Sequence, residues 1–150
     1  MARKKTNRWI NTISKATVLF GLILTSSCVT TRVPADATEF QGSRYKVFEM
    51  EVSWHEAVET CRQMGGQLAS IKSQDANDFI VKLSLGKCLW LGASDEIIEG
   101  EWLWRDGSKM AYSNWAAHEP DNWWGGKEHS LAIGWRGYNE GEWADTQPHF

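Results

Sequence analysis

Cys88-Leu-Trp-Leu-Gly92, followed by Glu99-Gly-Glu-Trp-Leu-Trp-Arg-Asp-Gly107, is the stretch on which the fold turns. The first piece is a short apolar run closed by glycine, which predicts a buried strand. Beyond it the chain changes character. Strand fragments such as Glu101-Trp-Leu-Trp104 and Leu131-Ala-Ile133 sit among long glycine-rich and polar stretches. Long loops in a compact domain are uncommon and often functional, and a bound ion is one way to order them.

Upstream of this stretch the signals are helical. Ser53-Trp-His-Glu56 has the spacing of a capping box, and the helix it opens runs through Ala57, Val58 and Cys61 to a stop at Gly65-Gly66. Leu68-Ala-Ser-Ile71 is a short extended link. Ser73 caps a second helix, in which Ala76, Phe79, Ile80 and Leu83 recur at helical spacing. Before both helices, Arg44-Tyr-Lys-Val-Phe48 alternates as an opening strand. Strand, helix, helix, then loops and short strands predict an α+β domain.

The chain of 150 residues has room for one such domain. Its net charge of −3 hides an asymmetry. The first 28 residues hold Arg3, Lys4, Lys5, Arg8 and Lys15 and no acid; without those five, eleven bases face nineteen acids, a balance near −8. An acidic body argues against a nucleic-acid partner, which demands positive charge opposite the phosphates. It suits carboxylates gathered around a cation. Tryptophan is also over-represented, with ten residues, more than a core of this size needs.

The basic start precedes the apolar run Ala16–Leu24 and then Thr25-Ser-Ser-Cys28. A basic region, a short apolar run and small residues describe an export signal, and nine residues are too few to cross a bilayer, which takes about 20. The small residues ending in cysteine resemble a bacterial lipoprotein box, with Cys28 as the lipidated residue and Thr25 where leucine is usual. The expectation is therefore a signal peptide over 1–28, a polar tether over 29–42 and a domain over 43–150. The product would be exported, as a bacterial membrane-anchored lipoprotein or a periplasmic or secreted protein.

Six pieces recur in one order: Cys61…Gly65-Gly-Gln-Leu-Ala69, Trp90-Leu-Gly92, Glu99–Gly107, Asn114-Trp115, Glu119-Pro-Asp121 and Trp143-Ala-Asp145. Together they resemble the C-type lectin-like domain, from about residue 43 to 150. The resemblance implies a long loop that binds calcium through a Glu-Pro-Asn or Gln-Pro-Asp motif, a later glutamate and Trp-Asn-Asp, with sugar hydroxyls completing the coordination. Residue by residue it makes Glu119, Asp121, Glu128 and Asp145 the calcium ligands, and Glu119, Asp121, Trp123 and Glu128 the sugar contacts. Calcium takes six to eight hard oxygens, which these side chains supply. A cis bond before Pro120 would let Glu119 and Asp121 face one ion.

The pattern also departs from the family. Ala144 stands where the family's asparagine would add an amide oxygen, which weakens both the ion site and the sugar contact. Glu119-Pro-Asp121 mixes mannose-type and galactose-type residues, but Trp123-Trp124 resembles the galactose-type loops. There an indole stacks on the C–H face of the sugar, with Trp123 the better platform and Trp124 the alternate. At the second calcium position of some members, Asp95 and Glu99 match while Asn122 and His129 replace acids, so calcium is not expected there. Trp90, Trp102, Trp104, Trp115 and Trp143 match packed framework positions.

In the family the helix cysteine pairs with one in a closing strand, and a second disulfide joins strands beside the loop. Here Ser130 and Pro148 stand near that second pair's positions, and the chain ends at Phe150 before a closing strand. The expectation is a C-terminally incomplete domain whose Arg44–Phe48 strand has an exposed edge. Cys61 and Cys88 remain as an even pair, bonded only if their Cα atoms come close.

The functional expectation is a calcium-dependent carbohydrate-binding module with a glycoconjugate partner. The alternative is a calcium-independent module for protein interaction or structure. An enzyme is not expected. Glu119 and Asp121 are a carboxylate pair, but no nucleophile–base set accompanies them. His55-Glu-Ala-Val-Glu59 lacks the second histidine of a zinc-protease helix.

Overall fold

The computed structural model describes residues 8–13, 34–135 and 137–149. The apolar run Ala16–Leu24 and Cys28 lie outside them, so the leader's apolar run and the lipidation position lie outside the described residues. Ten elements follow in order: β1 (Arg8–Ile13), β2 (Thr38–Phe40), β3 (Ser43–Phe48), α1 (Trp54–Gln63), β4 (Gln67–Leu68), α2 (Gln74–Ser84), β5 (Leu89–Ser94), β6 (Leu103–Trp104), β7 (Ser130–Ile133) and β8 (Trp143–Thr146). The strands form one sheet in the order β2-β3-β1-β5-β7-β8, with β4 paired to β1 and β6 to β5.

Alternation along the central strands divides the core in two. Leu89, Leu91 and Ala93 of β5 and Leu131 and Ile133 of β7 point to one face, where Tyr45, Ile71, Ile80, Trp104 and Trp143 complete a buried cluster. Trp90 and its cross-strand partner Ala132 point to the other, against Trp54, Ala57 and Cys61 of α1 and Leu68 of β4. Both indoles on this second face keep their polar edges satisfied: Trp54 Nε1 donates to Leu91 O at 2.8 Å, and Trp90 Nε1 to Val52 O at 3.0 Å. Gly92 sits where β5 crosses close to β4; a Cβ there would lie 2.6 Å from Leu68 O.

Both helices start as their spacing requires. Ser53 Oγ accepts from Glu56 N at 3.2 Å and Glu56 Oε2 from Ser53 N at 2.8 Å, while Gly65 takes the left-handed φ of 76° at the end of α1. Ser73 caps α2 through Ala76 N, and Ile80 of α2 is buried with Ala76, Phe79 and Leu83 packed around it. Asn77, which no apolar pattern reveals, is buried as well. Its Oδ1 accepts from Trp143 Nε1 at 2.8 Å, and its Nδ2 donates to Gly141 O at 3.1 Å.

One expectation needs correction, and two segments outside the expected domain bounds take part in the sheet. Within the segment expected as a tether, Thr38–Phe40 pairs with β3 and the Phe40 ring stacks on Phe79 with centroids 4.3 Å apart. The edge expected on Arg44–Phe48 is paired on both sides, with β2 on one and β1 on the other. Arg8–Ile13, read with the basic start of the leader, is that second neighbour: antiparallel to β3 and β4, parallel to β5. It takes up backbone donors and acceptors that would otherwise stand unpaired.

Cys61 is a buried free thiol, and burial pushes its pKa up, which leaves it unreactive. Cys88 packs against the same apolar cluster.

Candidate functional site

The long connection from β6 to β7 carries the site, and its entry is pinned to β8. Trp143 N donates to Asn114 O at 2.8 Å and Ala116 N to Trp143 O at 2.9 Å, so Asn114–Ala116 runs beside β8. Glu119 N then turns back onto Ala116 O at 3.0 Å. This path delivers Glu119, Pro120 and Asp121 to the carboxylate of Asp145, itself fixed on β8 opposite Leu131. The Glu119–Pro120 bond is cis.

Asp145 is buried and organises the loop. Its Oδ1 accepts from Asp121 N at 3.1 Å and its Oδ2 from Asn122 N at 3.0 Å. Asp121 Oδ1 accepts from Trp123 N at 3.0 Å, a turn closed by its own side chain. One carboxylate oxygen each from Glu119, Asp121 and Asp145 lies within 4.8 Å of the other two. Glu128 is not part of this trio. It is 6% exposed, its Oε2 accepts from Trp124 N at 3.3 Å, and its backbone N donates to Asn122 Oδ1 at 3.1 Å. Burial pushes its carboxyl up from the ordinary value, and Asp145 and Asp121 add to the effect.

Glu119 shows most plainly what the arrangement lacks. Its Oε1 accepts a hydrogen bond from the Tyr138 hydroxyl, while its Oε2 is buried without a hydrogen-bond partner among the described residues. Burial first, and then the facing Asp145, push its carboxyl up to about 7; the Tyr138 bond opposes them. Negative oxygens held this close in a partly dry place favour whatever brings positive charge between them, a proton or a cation. The donors are all hard oxygens, the chemistry that calcium takes.

Beside the trio, Trp123 is 77% exposed and Trp124 64% exposed, so neither indole packs beneath the loop. Of the framework tryptophans, Trp90, Trp102, Trp104 and Trp143 are buried and Trp115 is half-buried, stacked edge-on against Trp102 and Trp143. Ala144 is fully buried between its strand neighbours and offers the site no side-chain oxygen.

One contributor was invisible in the sequence, and one was read there only against the second calcium position. Tyr138 reaches Glu119 across 19 positions of loop, and Asn122 acts through its own turn rather than as a ligand. No periodicity marks such contacts; only the fact that buried carboxylates need donors would have prompted a search for the tyrosine.

A sequence model of the lectin C-type domain matches residues 50–148. The versican core protein of Rattus norvegicus is 33% identical over 108 residues, 72% of this chain and 4% of that protein. C-type lectin domain family 4 member M of Hylobates lar is 36% identical over 114 residues, 73% of this chain and 28% of its own length. The chain thus spans a small part of each of these relatives. Among solved structures, the mouse scavenger receptor C-type lectin carbohydrate-recognition domain superposes with a TM-score of 0.69 at 31% identity, over 79% of this chain and 89% of that one. The chain belongs to the C-type lectin domain family, whose members are binding domains rather than enzymes.

Proposed function

We propose that this domain binds carbohydrate through calcium, with Glu119, Asp121 and Asp145 as ligands, Glu128 as a further oxygen, and Trp123 as the stacking platform of a galactose-type site. The observation that carries the reading is the trio itself. Three carboxylates from two separate stretches have oxygens within 4.8 Å, and one of those carboxylates keeps a buried oxygen without a donor. An isolated buried charge is costly, so such an arrangement is stable when a cation or a proton sits among the oxygens.

Calcium in this place would offer open coordination positions to vicinal sugar hydroxyls. The chain's own residues do the rest. Asp145 holds the two N–H groups that follow the proline, which keeps Asp121 aimed at the cluster. Tyr138 fixes one oxygen of Glu119 and leaves the other available. The exposed indole of Trp123 covers the apolar face of a sugar seated there. The same reading makes the protein exported and membrane-anchored through Cys28, so that the site meets glycoconjugates outside the cell.

A galactose-agarose column tests it: the full chain should be retained in calcium and released by EDTA. Retention that EDTA leaves unchanged would refute coordination through the ion. One observation favours a second reading, a calcium-independent protein-interaction module. Ala144 removes an amide oxygen from the site, and the Asp145 hydrogen bonds already order the loop from within. Failure to bind calcium at all would select that reading.

A further inference from the structure

A second group of donors lies apart from the trio, at the end of β5. Asp95 is only 2% exposed, and its carboxylate is held in place: Oδ2 accepts from Gly100 N at 2.9 Å. Its Oδ1 stands 3.0 Å from His129 Nδ1, and Glu99 Oε2 stands 3.5 Å from the same nitrogen. One ligand atom from each of the three residues lies within 4.8 Å of the others. His129 enters from the start of β7, so the group joins the 95–100 loop to the foot of the loop that carries Trp123 and Trp124.

Calcium does not fit this group. It calls for oxygen ligands, and here one of the three side chains enters through an imidazole nitrogen, unlike the all-carboxylate trio. Asn122, the neighbouring candidate, spends its Oδ1 on Glu128 N at 3.1 Å. The same donors suit a borderline divalent ion, for which imidazole and carboxylate are ordinary ligands. Ligand atoms at about 2.0–2.2 Å from a tetrahedral zinc stand about 3.3–3.6 Å apart; the 3.5 Å contact has that spacing, and the hydrogen-bonded 3.0 Å contact would open by a few tenths of an ångström. The backbone N–H of Gly100 on the far oxygen of Asp95 is the kind of outer support that orients a metal-binding carboxylate.

The geometry points to a site for zinc, or a divalent ion of like preference, made by Asp95, Glu99 and His129, separate in position and in ion class from the calcium trio. Its open fourth position is left to water. Because its ligands come from two segments 34 positions apart in sequence, the ion ties those segments together and stiffens the base of the binding loop.

Isothermal titration of the full, metal-stripped chain with zinc chloride tests this, in buffer holding saturating calcium. The expected result is one zinc equivalent, weakened at least tenfold by His129→Ala and by Glu99→Ala and unaffected by Asp121→Asn. His55→Ala serves as the control for a second pair, since His55 Nε2 lies 3.2 Å from Glu96, and it should leave zinc binding intact. Glu99 is 59% exposed, so its substitution leaves the fold standing if His129→Ala does not. Absence of zinc binding, or binding that survives both substitutions, overturns the assignment. Either outcome leaves the calcium reading to its own measurements.

Discussion

At the scale of single residues, Glu119 is where crowded negative charge bears on stability near neutral pH. Its carboxyl stands at about 7 in the folded protein against an ordinary 4.5. A raised acid favours the folded state in its protonated form, so its contribution to stability is complete below about 4.5 and is lost as pH rises through about 7. In EDTA, the urea midpoint should fall across that window. Saturating calcium should flatten the fall, because the ion replaces the proton as the compensating charge. A midpoint independent of pH in EDTA would contradict the close approach of Glu119 and Asp145. Trp123 makes a different prediction. Trp123→Ala should weaken galactose binding by about tenfold, about 1.4 kcal/mol, while leaving calcium affinity unchanged, read by titration with each ligand. These two residues were legible because they belong to short motifs. Tyr138 was not, since nothing local to it refers to Glu119. Glu128 was legible as a position but not as a conformation: the Trp124 N–H holds one of its oxygens in its own loop.

At the scale of elements, legibility followed periodicity. Both helices announce themselves through Ser53 and Ser73, and β5 through its apolar run closed by Gly92. By contrast, Trp143–Thr146 is buried at every position of β8, so it lacks the alternation that marks a half-exposed strand. Thr38–Phe40 is too short and polar to signal a strand, and becomes one because Phe40 finds Phe79. Gly92 is where sequence and packing meet most tightly. Gly92→Ala would drive a methyl to 2.6 Å from Leu68 O, a backbone atom that cannot swing away. The expected cost is about 1–3 kcal/mol in chemical denaturation, as for other overpacked positions. A neutral result would mean that β4 and β5 stand further apart than described.

At the scale of the molecule, the fold was legible because six short motifs fix the order of its pieces, whereas the seating of Arg8–Ile13 was not. That segment reads as the basic start of a leader, and it also fills the sheet between β3 and β5. The two roles compete, since an export leader is removed from the folded product. Deleting residues 1–33 should therefore lower the melting temperature by several degrees, by baring strand edges on β3 and β5. An unchanged melting temperature would show that the sheet does not depend on this strand. The central claim concerns the trio gathered around Asp145 of β8, and thermal unfolding of the metal-stripped full chain tests it most directly. Calcium at ten times its dissociation constant should stabilise the native state by about 1.4 kcal/mol and raise the melting temperature by roughly 5 °C. EDTA should reverse the rise, and Asp121→Asn should remove it. No rise at millimolar calcium, or an equal rise in Asp121→Asn, would contradict the account.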